Sequence, residues 1–321
     1  MLVIEGRNVN EVYHEAMWKV PIYGVKQQTR NGGVLAFPTP VCSVYTNPWE
    51  RMLYNTKRDA NPFFHIMEGL WMLAGENRHT LISGYAANIA NYSDDGVTLN
   101  GAYGHRWRNH FEHDQLEWII DHLTKDPGSR RAVLGMWDPM EDPKSVDEGS
   151  LDVPCNTHVY FRVNSSNLEM TVCCRSNDMV WGTYGANAVH MSMLQEFVAD
   201  ALGRAIGKYY QISNNLHIYE PHWGLMQPQE DSERLVPYNP QRHQLTTPEG
   251  WKQFLVDCSD FFAGKEQMFE SPFIRLVAVP MQTIWRLHKM GATEVAARNT
   301  HLIHDRDIAR ACALWLGRRI K

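Results

Sequence analysis

The sequence predicts an α+β fold, with a mixed or antiparallel sheet packed on a buried central helix and an extra helical C-terminal segment. Three observations carry this. Ala188–Leu202 (AVHMSMLQEFVADAL) is apolar on most sides, too long for a strand, and stopped by Gly203, as a helix enclosed by other elements would be. Strand-like runs precede it at Ala132–Trp137, Thr157–Val163 and Leu168–Cys174, the last with clean alternation. Beyond Trp251 the chain reads as helices to Lys321.

Taken in order, Asn61–Gly75 (NPFFHIMEGLWMLAG) is the first clear element. Asn61 can cap a helix, Pro62 suits its first turn and Gly75 ends it. Glu68 sits among its apolar residues, a placement that should raise its pKa; the alternative is a carboxylate pointing to solvent. A KDPG turn leads through Ser129, Arg130 and Arg131 into the first strand, and Asn164–Asn167 (NSSN) turns between the next two. Tyr209–Tyr219 reads as one further strand. From Gln227 to Pro248 the chain is polar and holds four prolines, an excursion or boundary rather than core. The chain thus divides into a core, residues 1–226, and a polar connection with helical extension, residues 227–321, packed on it. The last helix opens with Asp305 and Asp307 and closes with Arg318 and Arg319, as the helix dipole favours.

Composition narrows the function. The 321 residues carry 31 Lys and Arg against 36 Asp and Glu, a formal charge of −5, which argues against a stable nucleic-acid complex. Any anion bound would be small and held by a local arginine cluster. The six cysteines show no C-x-x-C pair, which suits a reduced, cytoplasmic setting. No apolar run approaches a membrane span, and the N-terminus lacks the pattern of a signal peptide. Walker, Rossmann and H-E-x-x-H motifs are absent, and the His110/His113 spacing has no completing ligands, so no metal is expected.

Cys155 stands apart. It follows Pro154 in LDVPCNT, between an acidic loop and a strand start, where a sharp turn could present its sulfur to a cleft. The plain alternative is a small buried hydrophobe. Nearby arginines would tip the balance by lowering the thiol pKa. Arg30 in a TRNGG turn, Arg130 and Arg131 at a strand entry, and Arg175 with Ser176 at a strand end could together cradle one phosphate.

With these pieces in place the chain resembles the thymidylate synthases. TRNGG, EGLWMLAG, NGAYGHRWR, DPGSRRAVLGMWDP, DVPCN, RSND with GTYGAN, and NNLHIYEPH run in that family's order across Arg30–His222. The resemblance implies a thymidylate-synthase-like mixed sheet on a buried helix and one-carbon transfer to a pyrimidine nucleoside monophosphate. The cosubstrate would be 5,10-methylenetetrahydrofolate. Cys155 would be the nucleophile that adds to C6 of the pyrimidine. Glu68 would organise water and relay protons, with Tyr103 beside the nucleophile. Arg30, Arg175 and Ser176 would bind phosphate together with Arg130 and Arg131 from the partner subunit, which implies a homodimer. Asn187 would read N3–H and O4 of the base, although it could equally cap the central helix. His217 and Tyr219 would hold the sugar hydroxyl, the alternative being an ordinary amphipathic strand. Asp178 would hold the folate pterin, and Gly182 would let the pterin approach.

Departures from the family pattern bear on the product. Asn88–Ser93 (NIANYS) lacks the tryptophan that synthases place beside the pterin. Asn156 follows the nucleophile where histidine is usual, and Cys174 precedes Arg175 where glutamine is usual. GTYGAN is one residue longer than the usual spacing, and the chain ends GRRIK rather than in a short apolar tail. In the family's chemistry an exocyclic methylene on the pyrimidine accepts either hydride, giving a methyl group, or water, giving a hydroxymethyl group. A wetter site favours water. The resemblance is therefore nearer to the hydroxymethylase branch, found in bacteriophages with modified DNA bases and in nucleoside-antibiotic pathways. The expected substrate is dUMP, with CMP or dCMP the alternative because a reversed amide would pair cytosine. Trp181, Tyr92 or the C-terminal helices could refill the cleft and restore a synthase. A non-catalytic nucleotide- or RNA-binding relative is a further alternative.

Overall fold

The computed structural model describes residues 1–226, 235–265 and 268–320. Its strands are β1 (Leu2–Gly6), β2 (Val25–Thr29), β3 (Gly32–Ala36), β4 (Val41–Tyr45), β5 (Val133–Gly135), β6 (Asn156–Asn164), β7 (Asn167–Cys174), β8 (Asn177–Asp178), β9 (Ala205–Ser213) and β10 (Leu216–Tyr219). Its helices are α1 (Val9–Tyr23), α2 (Pro62–Leu73), α3 (Tyr103–Arg108), α4 (Gln115–Lys125), α5 (Asp142–Asp147), α6 (Ala188–Ala201), α7 (Trp251–Phe262), α8 (Val279–Lys289), α9 (Thr293–Arg298) and α10 (Arg306–Gly317).

Six strands form a mixed sheet in the order β1-β4-β9-β7-β6-β5, with parallel pairs β1–β4 and β7–β9 and the others antiparallel. Every residue of α6 is buried, its polar His190, Glu196 and Asp200 included, and it packs on β7, β9 and α2. Alternation on β7 and β9 turns Met170, Val172 and Tyr209 into the core. Thr171, Cys173, Tyr210 and Ile212 lie part-exposed on the opposite face. The α+β expectation therefore holds.

A smaller sheet, β2-β3-β10-β8, stands beside the first. It corrects the reading of Tyr209–Tyr219 as one strand. The chain breaks at Asn214–Asn215, so β9 stays in the large sheet while β10 joins the small one. Asn–Asn is a turn signal that the flanking apolar alternation hid. Before Asn61 the sequence marks only the TRNGG turn, which joins β2 to β3. The exposed hairpin β2–β3 itself has no apolar alternation to reveal it, since all five β2 residues face solvent.

Helix α2 begins as expected: Asn61 Oδ1 accepts from the Phe64 amide at 3.3 Å, and Gly75 closes the turn at φ +76°. The extension is bound tightly to this core. α7 packs on α2 and α6, and α10 packs on α2. Part of the proline-bearing stretch, residues 227–234, lies outside the described residues. The remainder is not a free connection. Leu245 is buried, Tyr238 bonds Asn10 at 2.6 Å, and Arg242 reaches Glu196 and Asp200 of α6, each at 2.5 Å.

Candidate active site

The nucleophile candidate lies where the two sheets approach each other. β6 starts at Asn156, so Cys155 occupies the turn just before it, half-buried. The next strand over, β7, ends at Cys174, which brings Arg175 alongside. The Arg175 amide donates to the Cys155 carbonyl at 2.9 Å. Its guanidinium holds the same turn, with Nε on the Pro154 carbonyl and Nη2 on the Val153 carbonyl, both at 2.9 Å. Two opposing influences act on the sulfur. Burial pushes the Cys155 thiol up, and Asp152 adds to this, while Arg175 and Arg30 pull it down; burial wins. The expectation of a net lowering by arginine is thereby corrected. Arg30, at the exposed β2–β3 turn, is nonetheless near enough to be felt.

Tyr103 opens α3, and its hydroxyl accepts from the Asn156 amide at 3.2 Å. Asp152, which sequence reasoning did not single out, accepts from the Gly101 amide at 2.7 Å and is pushed up to about 6, chiefly by burial. Glu68 faces inward from α2, contrary to the solvent alternative. Its Oε2 lies 2.9 Å from Nε2 of His190 on α6, although the pair is not aligned as a hydrogen bond. His65, one turn earlier, stacks edge-on to His190 at 6.2 Å, and burial holds its imidazole well below the ordinary range. His190 was missed because a histidine inside an apolar helix usually signals nothing; its spatial match to Glu68 is tertiary.

The segment after β8 turns as a π-helix, Met179–Asn187, which takes in the whole of GTYGAN. Asp178 caps it, accepting from the Val180 amide at 3.3 Å and the Trp181 amide at 2.8 Å. Gly182 is needed for a local reason: a Cβ there would stand 2.4 Å from Asn177 Oδ1. Asn187 makes no capping bond to α6, so the capping alternative is set aside. Its Oδ1 accepts from Asn156 at 3.2 Å and its Nδ2 donates to Asn177 at 3.1 Å. On β10 the rings of His217 and Tyr219 meet edge-on at 5.0 Å, and His217 Nδ1 bonds Asn215 at 2.8 Å. Ser176, half-buried, accepts from the Cys174 thiol through its carbonyl at 3.1 Å. Arg130 and Arg131 stand apart from this group, exposed ahead of β5.

A cleft of about 560 Å³ opens beside the π-helix, lined among others by Phe64, Tyr85, Asn88, Trp181, Trp315 and Arg319. Trp181 is held there by the Arg58 guanidinium, 4.6 Å from its ring centre, and by His222, which accepts from its indole at 3.2 Å. Two of the lining residues come from α10 or its end, where Arg319 lies 3.4 Å from the Trp315 ring centre and pairs with Asp59 at 2.6 Å. Tyr92 is exposed and does not line this cleft. Among the described residues no group of three or more His, Cys, Asp or Glu could hold a metal ion. No helix among them is long and apolar enough to cross a membrane.

A thymidylate synthase family model matches residues 11–254, which takes in the candidate site residues from Arg30 to Tyr219 but not Trp315 and Arg319 of the cleft. The chain belongs to the thymidylate synthase family. Within that family it is 42% identical to the deoxyuridylate hydroxymethyltransferase of Pseudomonas phage M6, over 99% of this chain and 95% of the relative. The enzyme of the same name from Bacillus phage SP01 is 34% identical over 67% of this chain and 58% of its own length. A putative thymidylate synthase of Methanosarcina barkeri is 37% identical over 39% of this chain and 55% of the relative. The likeness to the hydroxymethyltransferase branch thus runs through the C-terminal extension as well as the core.

Proposed function

We propose that this protein is a one-carbon transferase that converts dUMP to 5-hydroxymethyl-dUMP with 5,10-methylenetetrahydrofolate as cosubstrate. The full-length likeness to the phage M6 deoxyuridylate hydroxymethyltransferase carries this reading. Cys155 adds as thiolate to C6, making C5 an enolate-like carbon that takes the methylene group and then loses its proton. Loss of tetrahydrofolate leaves an exocyclic methylene; water adds to it, and the thiolate is expelled from C6. Arg175 and Arg30, which pull the thiol down, and Ser176 receive the nucleotide phosphate. Glu68 with His190 handles protons and water. Tyr103 seats the turn, Asn187 reads the base, and His217 with Tyr219 holds the sugar.

The cleft beside Trp181 suits folate: aromatic rings flank it for the pterin, Asp178 caps the π-helix that carries Trp181, and Gly182 lies in the same turn. Homodimerisation belongs to the same proposal. The bare face of the large sheet, with Tyr160 and Val133 exposed, offers a covered interface, and Arg130 and Arg131 are free to cross it. The protein would work on cytoplasmic nucleotide and folate pools, and its product would feed DNA base modification. Residues 1–226 form the catalytic core in this reading, and residues 227–321 the extension that completes the folate cleft.

A second reading, a thymidylate synthase, is favoured by one observation: Trp181 and Trp315 line the cleft together with Asn88, supplying aromatic surface where NIANYS has none. Incubating the protein with methylenetetrahydrofolate and either dUMP or dCMP, then weighing the nucleotide by mass spectrometry, tests the proposal. A hydroxymethyl adduct of dUMP is expected; no new nucleotide from either substrate would refute it.

A further inference from the structure

One unbroken line of hydrogen bonds runs under the candidate site. Tyr209 Oη donates to Gln211 Oε1. Gln211 Nε2 donates to Asn156 Oδ1 at 3.3 Å, and Asn156 Nδ2 to Asn187 Oδ1 at 3.2 Å. Asn187 Nδ2 donates to Asn177 Oδ1 at 3.1 Å, and Asn177 Nδ2 to Ser213 Oγ at 3.1 Å. All of these side chains are buried. Gly182 leaves room for the last amide, since a Cβ there would collide with Asn177 Oδ1.

A carboxamide accepts at one end and donates at the other, so each bond in the line dictates the orientation of the next group. Reversing one amide alone would set oxygen against oxygen or nitrogen against nitrogen without water to relieve it, which is costly. Only the two terminal hydroxyls can serve either direction. Orientation is therefore a property of the whole line. Asn187 keeps one lone pair on Oδ1 and one hydrogen on Nδ2 beyond those used in the line. In the observed direction these complement N3–H and O4 of uracil. In the reverse direction they would complement N3 and the 4-amine of cytosine.

We propose that Asn156 and Gln211 are positioning residues that set base specificity by coupling the direction of Asn187 to that of the whole line, with Asn177 and Ser213 completing it. This rests on the reading of Asn187 as the base-contacting group. It also gives Asn156, the residue that departs from the family's usual histidine, a defined task.

Three isosteric variants with the same charge change separate the idea from general damage. In Asn156→Asp the carboxylate only accepts, so Gln211 keeps its direction while Asn187 must turn its Nδ2 toward the carboxylate, and the line reverses from Asn187 onward. Gln211→Glu does the same from two links away, because it accepts from both Tyr209 and Asn156. Asn177→Asp already accepts from Asn187, and the Ser213 hydroxyl can donate to it, so the direction is kept. The readouts are kcat/KM and the calorimetric Kd for dUMP and dCMP. The dUMP-to-dCMP ratio should fall by about 100-fold or more in Asn156→Asp and Gln211→Glu, the scale on which a site rejects a ligand that leaves its buried polar groups unpaired. Asn177→Asp should hold the ratio within about threefold. An unchanged ratio in the first two variants would overturn the proposal, as would an equal fall in Asn177→Asp. If Asn156→Asp fails to fold, Gln211→Glu reads the same quantity. A wild-type preference for dCMP would overturn the base assignment itself, and this proposal with it.

Discussion

At Cys155 a single sulfur is contested by desolvation on one side and two arginines on the other. The neighbouring Asp152 decides part of the outcome, because its carboxyl titrates near 6 and is charged at neutral pH. Asp152→Asn should therefore speed alkylation of Cys155 by iodoacetamide at about pH 8, and Arg175→Ala should slow it. The gain from Asp152→Asn should vanish as pH falls below 6, where the wild-type carboxyl is already neutral. Equal alkylation rates at pH 8 would contradict this reading. The same residue carries a stability signature. Folding raises its pKa from about 3.9, so its ionisation costs stability as pH climbs from about 4 through 6, and Asp152→Asn should flatten that slope in a denaturation series. Cys155, Arg175 and Arg30 were legible in sequence because turn residues, a proline and strand ends mark their places. Asp152, His190 and the Asn156–Asn187 contact were not, since each depends on which strand or helix lies beside it.

The element that most departs from its sequence reading is the proline-bearing segment before α7. Its polarity suggested a connection, yet Arg242 plugs the polar side of the buried central helix. Glu196 and Asp200 of α6 are otherwise enclosed, and burial together with Glu196 pushes the Asp200 carboxyl up. Arg51 shares the neutralisation from the other side. Arg242→Ala should cost about 3–5 kcal/mol at neutral pH, because a buried carboxylate loses its partner. The loss should shrink toward acidic pH, since protonation of Asp200 relieves the unpaired charge and its folded-state pKa is already raised. Chemical denaturation of wild type and variant at two pH values measures both effects; a deficit independent of pH would contradict it. The long, mostly apolar α6 and the capped α2 could be read from sequence because burial writes itself into composition. The β2–β3 hairpin and the break at Asn214–Asn215 could not, because neither carries a hydrophobic period of its own.

On the scale of the whole molecule, one sheet face is left bare and the arginine pair ahead of β5 is kept from Cys155. If these features serve a shared site, mixing inactive Cys155→Ser and Arg130→Ala proteins should restore activity, up to about one intact site per hybrid dimer. No recovery after demonstrated subunit exchange would place Arg130 outside the site. The central claim concerns the fate of the methylene group, where the missing tryptophan of NIANYS favours water and the aromatic cleft around Trp181 favours hydride. Turnover of dUMP with methylenetetrahydrofolate in oxygen-18 water decides between them directly. The account predicts one labelled oxygen in each molecule of nucleotide product and no accumulation of dihydrofolate. An unlabelled methyl nucleotide formed together with stoichiometric dihydrofolate would contradict it.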